Sequence, residues 1–270
     1  AVPLGQVSAL AVYDFTTGEV STIALPQNSG ASGVAFVSDS VVYVANSNLN
    51  TVSVVDIARG SVDREIPVGV FPQAIVARQD RVFVLNGELD SNFQPARRGT
   101  ITVIDAATHA VTDTVRLSGY NPTAAAWRFD GRLYVVNSGT FGQADGSVSV
   151  VNAVPSQEVA HYPDFAEFPG DIAFDAFGIA YVSSFAYGIA VWDPDSRAFV
   201  NPPSAPLIID GYTISSGVGF DRAGRLYTLI PGDCIAPGAA LRTLPGAALV
   251  QEFGVGVCPI DITFTTLSSQ

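Results

Sequence analysis

Residues 42–56 read VYVANSNLNTVSVVD, two apolar alternating runs joined by a short polar turn, and this stretch decides the fold. The β-branched residues and the period of two predict a hairpin of half-buried strands. The first run recurs as DRVFVLN (80–86), GRLYVVN (131–137), GIAYVSS (178–184) and GRLYTLI (224–230). The aromatic residues of successive copies are 40, 51, 47 and 46 residues apart, a period typical of β-propeller blades.

Two further series recur in phase with the first. The second run of each repeat ends in an Asp or Asn suited to a turn, at Asp14, Asp56, Asp105, Asn152 and Asp193. A third series opens each repeat with small residues, at 32–36, 72–76, 122–127, 169–174, 216–220 and 259–264. Small residues suit an innermost strand, where blades crowd together. Six openings predict an all-β, six-bladed propeller that occupies residues 1–270 as a single domain.

The ends of the chain predict how the last blade is completed. Residues 259–264 have no following strand, and residues 7–14 have no opening before them. The sequence therefore predicts a last blade with a C-terminal inner strand and N-terminal outer strands, at 7–14 and 19–25, which leaves no open sheet edge. The second strand of this blade is missing. Either residues 1–4 form a short remnant of this second strand, or the blade has three strands.

The composition of the chain limits its expected cellular location and the classes of partner that it can bind. The chain has no Met, which predicts a processed N-terminus, after removal of either a secretion signal or a lipid-anchored segment. No run approaches the roughly 18 apolar residues of a membrane span. All 13 basic residues are Arg, the net charge is −12 and the pI is about 4.3. This acidic balance argues against nucleic acid, whose phosphates need clustered basic residues.

The two cysteines are predicted to form a disulfide. Strand directions in a propeller place the loops between strands 2 and 3 on the same face as the crossovers between blades. Cys234 lies in such a loop and Cys258 in a crossover. A bond between them closes a loop of about 25 residues and contributes roughly 3 kcal/mol in the chain-entropy model. The alternative is two buried free thiols. A disulfide predicts a periplasmic or extracellular location.

Two long loops on this face are the predicted partner-binding site. They comprise residues 86–99 and 137–146, and they are expected to be neighbours. Long loops in compact domains are often functional, and aromatic and Arg side chains are enriched at binding hot spots. The alternative is that both loops are tolerated surface insertions. The predicted contact residues are Glu88, Asp90, Phe93, Arg97, Arg98, Phe141 and Asp145.

A second candidate site is the rim of the central channel. Its oxygen-bearing side chains are predicted to include Asn46, Asn86, Asn137, Asp171 and Asp261. Such groups could hold Ca²⁺ or another divalent cation. They could equally cap strand ends, and the recurrence of the Asn positions favours that structural role. Otherwise no cofactor is expected.

Catalysis by protein side chains has little support. The two histidines, His109 and His161, fall in no nucleophile–base or zinc pattern and are expected at the surface. Carbohydrate binding through aromatic pockets is a further alternative. It is weakened because Trp127 and Trp192 lie within strands and are expected in the core.

Residues 42–56, 133–137 and 147–152 resemble the repeats of the YVTN family of β-propellers, in which a tyrosine-valine-threonine-asparagine run is followed by a variant of TVSVID. The resemblance covers roughly residues 30–200 and weakens in the fifth repeat, where Ile230 replaces the Asn. It implies a secreted or surface propeller, similar to YncE-like periplasmic proteins and near the lactonase-like propellers. The repeat is specific for the fold, not for an activity.

These observations favour a non-enzymatic binding protein. We expect a periplasmic or extracellular scaffold or accessory subunit that binds another protein of the cell envelope through the two long loops. The alternative is a metal-assisted hydrolase, similar to lactonases, that uses the channel rim.

Overall fold

The computed structural model describes residues 1–243 and 248–264. The described chain is almost entirely β-structure, arranged as six antiparallel sheets in which strands follow one another in chain order. This arrangement is a six-bladed β-propeller and confirms the predicted fold class. None of the helices among the described residues is long and apolar enough to cross a membrane.

Five sheets have four strands each, and we number these blades 1 to 5. Blade 1 contains β4 (Ala31–Phe36), β5 (Val41–Asn46), β6 (Thr51–Asp56) and β7 (Ser61–Pro67). Blade 2 contains β8 (Pro72–Arg78), β9 (Arg81–Asn86), β10 (Thr100–Asp105) and β11 (Ala110–Arg116). Blade 3 contains β12 (Pro122–Trp127), β13 (Leu133–Asn137), β14 (Ser147–Asn152) and β15 (Gln157–Tyr162). Blade 4 contains β16 (Pro169–Phe174), β17 (Ala180–Ser184), β18 (Gly188–Asp193) and β19 (Ala198–Asn201). Blade 5 contains β20 (Gly217–Phe220), β21 (Leu226–Ile230), β22 (Pro237–Thr243) and β23 (Leu249–Val257).

The N-terminal sheet has three strands, β1 (Val2–Leu4), β2 (Ala9–Tyr13) and β3 (Val20–Ala24), with one 3-10 turn at Gly5–Val7. Leu4 pairs with Ala9 and Val2 with Ala11, so β1 is a short second strand for this blade. The sequence left this strand undecided because residues 2–4 are too few to show a period.

The C-terminal segment 259–264 has no regular secondary structure, yet it lies along β20 as an inner strand would. A Cβ at Gly219 would come within 2.9 Å of Phe264 and 3.0 Å of Ile262. In blade 1, a Cβ at Gly33 would likewise approach Ala74 of β8 to 2.9 Å. Neighbouring inner strands are therefore too close for larger side chains at these points, which explains the small residues that open each repeat.

The predicted turn residues hold the hairpins between the third and fourth strands. Asp56 Oδ1 accepts a hydrogen bond from the N–H of Arg59, and Asp105 Oδ1 accepts one from Ala107. Asp14 and Asp193 accept equivalent bonds from Thr16 and Asp195. A carboxylate that bonds backbone two or three residues on stabilises such a turn, so the recurrence of Asp follows from local chemistry.

The chain divides into two compact units. One comprises residues 1–123 and 154–158, and the other comprises residues 124–153 and the residues from 159 onward. The first contains the N-terminal sheet and blades 1 and 2. The second contains most of blade 3, blades 4 and 5, and segment 259–264. Each loop, ring pair and cavity described below lies within one unit.

Candidate functional site

The loop at residues 86–99 of the first unit is a folded hairpin. Leu89 pairs with Pro95, and the N–H of Ala96 donates to the carbonyl oxygen of Glu88. The Glu88 side chain is only 3% exposed and accepts hydrogen bonds from Arg97 Nε (2.9 Å) and Thr100 Oγ1 (2.6 Å). A carboxylate is costly to bury unless it is paired and hydrogen-bonded, and Arg97 and Thr100 supply both. The loop therefore has a defined shape.

This loop also presents an aromatic and a cationic group at its surface. Phe93 is 64% exposed, and its ring packs edge-on against Phe71 with 5.5 Å between centroids. The Arg98 guanidinium lies 5.0 Å from the centroid of the Tyr120 ring. Cation–π contact of this kind orients an Arg side chain without neutralising its charge. Phe93 and Arg98 are thus held in place while remaining accessible.

The loop at residues 137–146 of the second unit has the same design. Asp145 accepts hydrogen bonds from the N–H (2.7 Å) and the hydroxyl (2.9 Å) of Thr140, which closes the loop. Phe141 is 70% exposed and packs edge-on against Phe168 with 5.1 Å between centroids. Each loop therefore carries one exposed phenylalanine supported by a second aromatic ring from the adjacent crossover.

The structure separates the predicted contact residues into two kinds. Phe93, Arg98 and Phe141 are available to a partner. Glu88 and Asp145 are used inside their own loops, and Arg97 bonds Glu88. Asp90 accepts hydrogen bonds from the N–H groups of Asn92 and Gln94 and so holds the hairpin turn. Sequence patterns alone do not distinguish a charged residue that folds a loop from one that meets a partner.

The supporting rings of Phe71 and Phe168 were missed by the sequence analysis. Each directly precedes the proline that begins an inner strand, at Pro72 and Pro169. Both adopt positive φ, 55° and 51°, which is uncommon for a bulky residue. The recurrence of Phe before these prolines is a signal that could have identified them.

The recurring asparagines point into their own blades. Asn46, Asn86 and Asn137 are fully buried, and their Nδ2 groups donate to hydroxyls on the neighbouring strand, at Ser53 (2.8 Å), Thr102 (3.1 Å) and Ser149 (2.9 Å). These bonds tie the second strand of a blade to the third. They account for the recurrence of Asn at this position in blades 1, 2 and 3, which share the same link.

The two aspartates of the predicted rim line a cavity of about 350 Å³ in the second unit. Asp171 lies on β16, where Oδ1 accepts the N–H of Ile172 (2.7 Å) and Oδ2 accepts that of Val218 on β20 (3.0 Å). Asp261 lies on segment 259–264. Trp127, which was expected in the core, is half-buried and also lines this cavity. That prediction is wrong, because Trp127 borders the cavity and is not part of the buried core.

Burial, and then the nearby charge of Asp261, raise the pKa of Asp171 to about 7. Burial also raises the pKa of Asp261. The described residues contain no group of three or more His, Cys, Asp or Glu side chains that could hold a metal ion. Binding of a divalent ion at Asp171 and Asp261 stays a prediction.

The raised pKa of Asp171 predicts a pH-dependent stability. The folded chain holds this proton more tightly than the unfolded chain, whose Asp has a pKa near 3.8. The contribution of protonated Asp171 to the free energy of unfolding is therefore complete below that pKa and is lost as pH rises through about 7.

The Asp171→Asn variant, which is neutral at this position at every pH, should gain stability relative to the wild type between about pH 5 and about pH 8. Urea unfolding at both values measures this, and an equal pH dependence in both proteins would contradict it. Asp63→Asn, an exposed site in blade 1, is the control.

The predicted disulfide is confirmed. Cys234, between β21 and β22, bonds Cys258, which directly precedes segment 259–264. Two hydrogen bonds likewise join loops between strands 2 and 3 to crossovers, from Gly87 N to Phe71 O and from Gly146 N to Ala166 O. Within each unit these two kinds of segment therefore meet, as strand direction predicted.

Known structures with this fold carry out unrelated tasks. The hydrazine synthase of Kuenenia stuttgartiensis matches 94% of this chain and 82% of its own, with 17% identity and a TM-score of 0.75. A streptogramin B lyase matches 83% of this chain and 70% of its own, at 15% identity and a TM-score of 0.64. A chain of a mitotic checkpoint complex matches 92% and 72%, at 13% identity and a TM-score of 0.67. At such identities the likeness shows the fold alone.

No family model and no curated protein sequence matches the chain.

Proposed function

We propose that this chain is a periplasmic or extracellular binding propeller that holds another protein of the cell envelope through loops 86–99 and 137–146. The observation that carries the proposal is the paired design of Phe93 on Phe71 and Phe141 on Phe168. Large exposed aromatic side chains are over-represented among the residues that dominate binding energy. Two of them, each fixed on a second ring, favour recognition over chance exposure.

The internal bonding of the loops supports the same proposal. A partner must pay less conformational entropy to bind a loop that is already ordered. The buried Glu88 and the Asp145–Thr140 bonds provide that order. The positive φ of Phe71 and Phe168 recurs at Asn121 and Cys258, which also precede inner-strand prolines, so this conformation belongs to the repeat, and the Phe side chains are what distinguish the two loops.

The compartment is supported by two features. Disulfides persist in oxidising surroundings and are rare in a reducing cytosol, which favours a periplasmic or extracellular site for the Cys234–Cys258 bond. The similarity of residues 42–56 to YVTN repeats points to the same location. The mitotic checkpoint complex is one case in which this fold occurs within a protein assembly, and it leaves the partner of this chain open.

Removing either loop-tip ring is expected to weaken partner binding. Phe93→Ala or Phe141→Ala should each cost about 2 kcal/mol, or roughly thirtyfold in Kd, because each ring loses its buried contact with the partner. The partner is first identified by cross-linking in the native envelope and mass spectrometry. Its Kd for purified wild type and variants is then measured by surface plasmon resonance.

Phe177→Ala is the matched control, because Phe177 is 83% exposed but lies in the turn between β16 and β17 and belongs to neither loop. It should bind as the wild type does. Unchanged affinity in both loop variants would refute the proposal.

A further inference from the structure

The cavity of the second unit combines two carboxylates with aromatic side chains. Inner strands and segment 259–264 supply its walls, which include Asp171, Asp261, Trp127, Phe174, Phe220 and Phe264. Its volume of about 350 Å³ falls within the roughly 300–1,000 Å³ of small-molecule sites. No Lys, Arg or His side chain is among the described residues that line it. The cavity therefore contains two acidic groups and no basic group among its described lining residues.

Most blades have no acidic residue at the position that these two aspartates occupy in the repeat. The equivalent residues of the six inner strands are Gly33, Ala74, Ala124, Asp171, Gly217 and Asp261. Four of the six blades thus have Gly or Ala at this point. Two acidic side chains in one cavity repel each other and resist burial, so they cost stability. Since the other blades avoid this free-energy cost, its presence at Asp171 and Asp261 indicates a functional role for the two side chains.

The hydrogen bonds of Asp171 leave it able to bind a ligand. Its two oxygens each accept one backbone N–H, from Ile172 and Val218. A carboxylate has about four acceptor positions, so roughly two remain. The backbone bonds fix the orientation of the carboxylate without neutralising it. Asp261 makes no ion pair with any described residue.

We propose that this cavity binds a small organic cation, an amine with an aromatic or aliphatic body, whose ammonium group lies between Asp171 and Asp261. Charge-assisted hydrogen bonds to the two carboxylates would hold the head group. The aromatic residues that line the cavity, Trp127, Phe174, Phe220 and Phe264, suit both the apolar body and the cation. A hydrated metal ion would make no use of these rings, whereas an organic cation uses both kinds of wall.

Three of the aromatic side chains that line the cavity are held in place by packing against tyrosine rings. Phe174 packs against Tyr134 (5.1 Å between centroids), Phe220 against Tyr181 (5.0 Å) and Phe264 against Tyr227 (4.8 Å). In each case the inner-strand ring rests on the second-strand tyrosine of the preceding blade. The rings are therefore held by the propeller itself, and a ligand would meet a preformed surface.

Isothermal titration calorimetry with phenethylamine as the probe tests the proposal. The protonated amine should bind, and 2-phenylethanol, which has the same body without the charge, should bind at least about tenfold more weakly. Asp261→Gly and Asp171→Ala should each weaken amine binding about tenfold. Both variants introduce residue types that other blades carry here, so both should fold, which circular dichroism checks. Asp63→Asn removes one exposed negative charge in blade 1 and should leave binding unchanged.

Four results would overturn the proposal. They are equal binding of the amine and the alcohol, undiminished binding in both aspartate variants, no binding of the amine, and displacement of the amine by equimolar Ca²⁺, which would make the cavity a metal site. Phe93→Ala and Phe141→Ala should bind the amine normally. If the cavity fails to bind the amine, the proposed binding of a protein partner through the two loops is not affected. If the loops fail to bind a partner, the proposed amine site is not affected.

Discussion

Loss of the Cys234–Cys258 disulfide is expected to lower the free energy of unfolding by about 3 kcal/mol. The two cysteines are 24 residues apart in sequence, and the bond removes the closure entropy of that loop from the unfolded chain. Typical domains are stable by only about 5–15 kcal/mol, so this is a large share. The oxidised protein should consequently unfold at a clearly higher urea concentration.

The bond also holds one wall of the cavity. Segment 259–264, which carries Asp261, follows Cys258 directly and has no regular strand pairing among the described residues. Its other anchors are a hydrogen bond from Ser216 Oγ to the carbonyl oxygen of Pro259 and the packing of Phe264 on Tyr227. Loss of the disulfide should therefore weaken amine binding as well as stability.

Urea unfolding of the wild type, the reduced wild type and a Cys234→Ser/Cys258→Ser variant measures this effect. The reduced protein and the double variant should agree, because both lack the same constraint. A double variant within about 0.5 kcal/mol of the oxidised wild type would show that the bond does not stabilise the fold.

Trp192→Ala is expected to lower the free energy of unfolding by about 4 kcal/mol. Trp192 lies on β18 and is 2% exposed, as the sequence predicted. Its ring packs against Tyr162 (4.8 Å between centroids), Phe165 (5.5 Å) and Tyr134 (6.3 Å). Truncation removes the buried area and leaves a cavity that three rigid aromatic rings cannot easily fill.

Thermal and urea unfolding of Trp192→Ala and Trp192→Phe test this prediction. The Phe variant keeps an aromatic ring and should lose clearly less stability. The exposed Phe177→Ala should stay within about 0.5 kcal/mol of the wild type. An equal effect at positions 192 and 177 would mean that the aromatic cluster does not support blades 3 and 4.

Much of the fold could be predicted from local chemistry. Period-two alternation around Tyr43 and its copies marked the strands, and Asp56 and Asp105 marked the turns, since both signals depend on residues close in sequence. Spacing and strand direction also paired Cys234 with Cys258. Other elements lacked such signals. The crossover at residues 202–216 contributes Ile209 to the core and pairs Leu207 with Ile189, although no repeat predicts it.

The candidate sites were predictable only in part. The loops at 86–99 and 137–146 were found by length, and Asp171 and Asp261 by their place in the repeat. The internal roles of Glu88 and Arg97 and the ring support of Phe71 and Phe168 were not, because they depend on which side chain reaches which neighbour. Trp127 was misplaced for the same reason, since its strand alone does not show that it faces a cavity.

The sequence by itself determined the six-bladed propeller and its hairpin turns, because both follow from a pattern that is repeated along the chain. It favoured a Cys234–Cys258 bond over two free thiols, and the structure decided between them. Only the tertiary structure decided which polar groups remain free for function. Contacts across the hairpin between β9 and β10 use Glu88 and Asn86 within the fold. Contacts between residues far apart in the chain place Asp171 and Asp261 in one cavity among aromatic rings, and that proximity in space gives the two carboxylates their shared chemistry.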